Sequence, residues 1–152
     1  MDIEDAILEP QLVEILRSIY DTIPQLVDRY DGNEGMQDAL GDVDLYVTMA
    51  LSLISGTKYA PLYGGTETFD ALWDAVQSEQ MVSMPLFSER NRALDFSQFT
   101  VRGHYAEPHP RTGKDLGPYF KCMMWLGRMD FMLTPPPTNP WELPWSREES
   151  AV

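Results

Sequence analysis

Between Val43 and Ile54 the chain reads VDLYVTMALSLI, a run that is apolar on nearly every side once it is wound as a helix. A helix of that kind is stable only when other elements surround it, so the fold must place it at the centre. The pattern predicts a helix from about Glu34 to Ser55, stopped by Gly56, with the core centred on Met49. Leu45 to Ile54 is also the longest candidate for a membrane span. It has ten residues including Thr48 and Ser52, against about 20 for a spanning helix, so no membrane insertion is expected and the chain reads as soluble.

The partners of the central helix are legible at helical period. Leu12, Ile15, Leu16, Ile19, Tyr20 and Ile23 form one stripe, with Pro10 suited to a first turn. Pro24 predicts a kink or restart, and Leu26, Val27 and Tyr30 carry the face on to Asp31-Gly32-Asn33. Phe69, Leu72, Trp73 and Val76 mark a third helix with Thr66 or Thr68 as cap. A fourth is expected from near Asp115 to Leu133, tolerating Pro118 in its first turn. Residues 80–114 are broken by Pro85, Gly103, Pro108, Pro110 and Gly113 and read as a long loop, with a helical turn or two from Ser88 to Leu94.

The expected fold is therefore all-α, an irregular four-helix bundle-like domain spanning 1–133 with the 80–114 loop across one end. Residues 134–152 read as an extended Pro/Trp tail. Pro135-Pro136-Pro137 forces polyproline geometry, and the indoles of Trp141 and Trp145 need a groove of this domain or of a partner. Ser146 with Glu149 is a helix-start box, so a further helix is expected beyond the tail.

A chain of 152 residues with 43% hydrophobic content supports one core. Cys122 is the sole cysteine, which excludes an internal disulfide. Net charge is −13, and it is uneven: residues 1–80 hold 16 acids and 3 bases, residues 81–152 hold 8 of each. Such a surface repels phosphate, so no nucleic-acid partner is expected. Acidic faces that keep the domain in solution are the simplest reading. The opening Met1-Asp2-Ile3-Glu4-Asp5 lacks the basic start and apolar run of a secretory signal, so any export signal is expected upstream.

Arg102-Gly103-His104-Tyr105 is the main site candidate, joining a permanent cation, a titratable imidazole and a phenol on one loop. Ligand binding by Arg102, His104 and Tyr105 competes with a simpler role, in which these side chains pin the loop to backbone carbonyls and an acid such as Asp95. His104, His109 and Glu107 do not have metal-ligand spacing, and neither a metal nor a cofactor is implied. Cys122 lies among Met123, Met124 and Trp125, the setting of an inert thiol rather than a nucleophile activated by His104. Asp28 to Glu34 has the carboxylates and glycine of a calcium loop but fails its pattern, because counted from Asp31 the required sixth-position glycine is Met36. Asp38 with Asp42, and Asp70 with Asp74, read as solvated helix faces. Met123, Met124, Met129 and Met132 with neighbouring aromatics read as core, with an adaptable groove as the alternative.

The motifs Ala93-Leu94-Asp95-Phe96-Ser97-Gln98-Phe99, Arg102-Gly103-His104-Tyr105 and Tyr119-Phe120-Lys121-Cys122-Met123-Met124-Trp125-Leu126-Gly127-Arg128 resemble a family of large, mostly bacterial proteins known only as a domain of unknown function. The resemblance extends more faintly to Asp42 through Val47, about half the chain. It implies relatives that are secreted or periplasmic and several times longer, and it carries no catalytic residue. This chain departs from the pattern by placing Pro108, Pro110, Gly113, Gly117 and Pro118 after the His-Tyr pair. The functional expectation is a non-catalytic interaction or structural domain whose partners are neighbouring helices of a larger chain or assembly. The alternative is a ligand-binding or hydrolytic fragment acting on polysaccharide or peptide.

Overall fold

The computed structural model describes residues 1–87 and 90–131. Trp141, Trp145 and the rest of the expected Pro/Trp tail lie outside those residues. Four α-helices dominate: α1 (Glu9–Arg29), α2 (Glu34–Ser55), α3 (Thr66–Ser78) and α4 (Gly117–Arg128). Strands β1 (Met81–Leu86) and β2 (Arg90–Asp95) form an antiparallel hairpin, with Val82 opposite Leu94 and Met84 opposite Arg92.

Helix α2 is central, as its all-round apolar surface requires. From Val47 to Ile54 every residue is buried, Met49, Ala50 and Leu51 completely. Asn33 caps its start, accepting the Met36 N–H at 3.2 Å. Gly56 ends it at φ +66°, where a side chain would be strained. On one side α2 meets Leu16 and Ile23 of α1. On the other it is joined to α4 by two hydrogen bonds running in opposite directions: Trp125 Nε1–H donates to the Tyr46 carbonyl at 3.0 Å, and the Tyr46 hydroxyl donates to the Leu126 carbonyl at 3.2 Å.

The structure departs from the sequence expectations in several places. The first helix begins earlier than Pro10, through a π-helical turn at Glu4–Leu8 in which the Glu9 N–H reaches back to the Glu4 carbonyl. Helix α1 also runs through Pro24 without restarting. Pro24 is exposed, so the ring projects away from the core packing that holds the helix on both sides. Thr66 is the first residue of α3 rather than its cap, and Gly65 occupies the cap at φ +72°. Helix α4 stops at Arg128, short of Leu133.

The largest departure is the hairpin within 80–114. Val82 and Met84 are half-buried and Leu86 is buried, while Met81, Ser83 and Pro85 face out. Pro85 removes a ladder donor, which a two-stranded ribbon tolerates because each strand is an edge. The chain then passes through a 3₁₀ turn, Phe96–Phe99, whose two phenylalanines are fully buried.

Candidate functional site

The Arg102–Tyr105 motif forms a short 3₁₀ turn, Gly103–Tyr105, with Gly103 at φ +64°. It faces the N-terminal π-turn, about a hundred positions back along the sequence. The Tyr105 hydroxyl donates to the Glu4 carboxylate, and His104 Nε2 lies 3.4 Å from the same group. Arg102 goes elsewhere, donating to Gln98 Oε1 at 3.4 Å with its guanidinium 5.9 Å from the centre of the Phe120 ring. Asp95, the expected acid for this motif, instead binds its neighbours Ser97 and Gln98. The pinning acid is Glu4.

The contact continues through residues 109–114, part of the segment whose prolines and glycines read as a long loop. Asp2 pairs with Arg111 and lies 3.0 Å from His109 Nε2. Asp5 accepts the Thr112 hydroxyl at 2.7 Å, and Lys114 reaches both Asp5, at 3.3 Å, and Glu9. His109 is buried and organises this loop. Its Nδ1 accepts the backbone N–H groups of Arg111 and Thr112, both at 3.3 Å. Among the described residues no three His, Cys, Asp or Glu side chains gather in a way that could hold a metal ion.

These contacts move the carboxyl groups. The Met1 ammonium, the Tyr105 hydroxyl and His104 hold Glu4 down at about 2. Arg111 lowers Asp2, while Thr112 and Lys114 lower Asp5. Burial, then the bond to Glu4, pushes the Tyr105 phenol up to about 12. Burial does the same to the Cys122 thiol, also to about 12, so neither is an activated nucleophile at neutral pH. The uneven charge of the two halves was the legible signal for this interface: acids of the first turns meet bases from after residue 100.

Beside this contact lies a cavity of 450 Å³ where the ends of α2 and α3, the 101–106 loop and the start of α4 converge. Trp73, Gln77, Tyr105, Asp115 and Lys121 line it; Arg102 and His104 do not. Lys121 is engaged by Glu79 at 3.0 Å and Gln77 at 3.2 Å. The site motif is thus divided, with Tyr105 alone of the three reaching the cavity.

The α2 carboxylates also differ from expectation. Asp42 is buried rather than on a solvated face. Asp44, not singled out by sequence, is almost fully buried and accepts the Thr48 hydroxyl at 2.9 Å and the Tyr63 N–H at 2.6 Å. Burial raises its carboxyl above the usual range. One turn further on, Ser52 accepts the Tyr59 N–H at 2.9 Å. The stripe Asp44-Thr48-Ser52 therefore stitches the 57–65 loop to the central helix.

A family model described as "Protein of unknown function (DUF3160)" matches residues 1–151. The chain belongs to this family. The DUF3160 match extends over nearly the whole chain, well beyond the motifs between Ala93 and Arg128 that carried the resemblance. No curated protein and no solved structure matches it significantly. Among the described residues, no helix of this DUF3160 member is long and apolar enough to cross a membrane.

Proposed function

We propose that this chain is a non-catalytic helical packing module of a larger protein or assembly, which joins a neighbouring helix through the outer face of α1. The observation that carries this reading is that Ile15 and Ile19, which helical period puts on the same stripe as Leu16 and Ile23, are left exposed at its edge while Leu16 and Ile23 are buried. Leu8, Ile15 and Ile19 follow at steps of seven and four, on one line along the helix, and are 44%, 55% and 42% exposed. Ile3 and Ile7 extend the apolar surface at the N-terminal end. An apolar stripe wider than the helix's own packing covers leaves a solvated edge that marks a contact surface. The engagement of His104 and Tyr105 with Glu4 supports the same reading, because it gives the motif a structural use. The resemblance to long, secreted relatives is in keeping with a module inside a larger exported chain.

The test is light scattering over a concentration series with the pair Ile15→Lys and Ile19→Lys. The parent chain should self-associate or bind an apolar dye. The double variant should do neither while losing no more than about 0.5 kcal/mol of stability, as for exposed positions. A parent that stays monomeric and dye-free, or a double variant that unfolds, overturns the reading.

The alternative, a ligand-binding or hydrolytic fragment, draws on the 450 Å³ cavity, which sets an indole beside an ammonium, a carboxylate and a phenol. That mixture of apolar wall and few polar groups suits a sugar or peptide. Oligosaccharide and peptide mixtures that leave the Trp73 and Lys121 resonances unmoved would remove it.

A further inference from the structure

Helix α1 carries a line of residues that its own domain covers only in part. Leu8, Leu12, Ile15, Ile19, Thr22 and Leu26 follow at steps of four, three, four, three and four, the spacing that keeps side chains on one seam between two paired helices. Leu8, Ile15, Ile19 and Thr22 are exposed, and Leu12 and Leu26 are half-buried. The Thr22 hydroxyl is bonded within the helix, donating to the Ser18 carbonyl at 2.8 Å, so it needs no partner across a seam. The two flanks of the line differ. On one, Leu16 and Ile23 are buried in the domain. On the other stand Gln11, Ser18 and Gln25, all exposed and none charged. In a chain of net charge −13, an uncharged flank beside apolar positions removes the local like-charge repulsion that would keep two copies apart.

We infer that the helix joined by the outer face of α1 is α1 of a second copy, running antiparallel about a two-fold axis level with Arg17, an inference that rests on that face being a contact surface. The line is its own complement. Its steps read the same in both directions, so the pairing sets Leu8 against Leu26, Leu12 against Thr22 and Ile15 against Ile19, with no charge in the seam. A closed two-fold contact requires this self-complementarity. Arg17 itself lies half a turn away from the seam and donates to the Tyr59 hydroxyl at 3.0 Å. A parallel pair would put the acidic first turns, with Glu4 and Asp5, side by side. The antiparallel pair sets each against the other copy's last turn, which carries Arg29, and opposes the helix dipoles. One helix from each copy is a small contact, so the dimer is reversible and concentration-dependent.

The test uses the full chain with single cysteines on the uncharged flank and a short bismaleimide, the parent with Cys122 alone serving as the blank. Ser18→Cys lies near the axis and should cross-link to itself. Gln11→Cys and Gln25→Cys should each cross-link poorly alone and several-fold faster when mixed. Thr22→Leu, which makes the one polar position of the seam apolar, should tighten self-association several-fold in sedimentation. Ile15→Lys should abolish it, with circular dichroism showing both variants folded. Equal self-cross-linking at Gln11, Ser18 and Gln25 means a parallel pair and overturns the inference. So does a dimer indifferent to Thr22→Leu and Ile15→Lys, whose contact lies elsewhere. A chain that binds an apolar dye yet stays monomeric at every concentration overturns the dimer and leaves the packing module standing, whereas a monomeric, dye-free chain overturns both.

Discussion

Tyr46 and Trp125 lock the central helix to α4, the indole N–H donating to the Tyr46 carbonyl and the rings lying 5.9 Å apart. Because the Tyr46 hydroxyl returns a bond to Leu126, Tyr46→Phe should cost about 1 kcal/mol, the value of one hydrogen bond. Trp125→Ala empties a fully buried site and should cost about 3–5 kcal/mol. Urea unfolding of the two variants checks the ratio, and equal losses would mean the indole is not packed as described.

Asp44→Ala should destabilise the chain by about 1–3 kcal/mol, since it leaves the Tyr63 N–H without its acceptor. The loss should be local first. Hydrogen exchange should quicken at Tyr63 more than in α4. Asn can keep one of the two bonds and avoids burying a charge, so Asp44→Asn should lose less.

Acid should release the contact between the N-terminal turn and the 102–114 loop. Glu4 has a folded value of about 2 against an ordinary 4.5. A group depressed in the folded state contributes stability that is fully present above its unfolded value and is lost as pH falls toward the folded one. Thermal stability should therefore fall between pH 4.5 and 2, and the fall should be shallower in Glu4→Gln. Melting curves across that range decide it, and a Glu4→Gln profile parallel to the parent's would contradict the assignment.

Cys122 should resist alkylation at neutral pH in the native chain, its thiol being buried and pushed up to about 12. Labelling should proceed at the rate of unfolding and accelerate with urea. Fast labelling of folded protein would show an exposed thiolate instead.

Gly56→Ala and Gly127→Ala should have opposite signs. Neither added Cβ meets an atom, but Gly56 sits at φ +66° and Gly127 lies inside α4. The first should lose about 1 kcal/mol and the second gain about 0.5–1 kcal/mol, read from denaturation midpoints.

The four helices were legible because burial writes a period into sequence: the apolar run from Val43 carries its environment with it, Gly56 marks its own stop, and the Leu12 to Ile23 stripe shows the helix, although Ile15 and Ile19 of that stripe stand exposed at its edge. The hairpin left a weaker trace. Val82, Met84 and Leu86 alternate as a strand should, but six residues make a short signal and Pro85 argues against a ladder. The site was the least legible part. Sequence shows Arg102, His104 and Tyr105 as a motif, yet only the fold brings Glu4 to His104 and Tyr105 and sends Arg102 to Gln98. It likewise turns Asp44 inward and Asp38 outward on one helix. Sequence by itself determined which segments are helical and which residue types were available for pairing. The tertiary structure alone decided the partners, because an ion pair or a buried acceptor depends on proximity between distant positions and leaves no period along the chain.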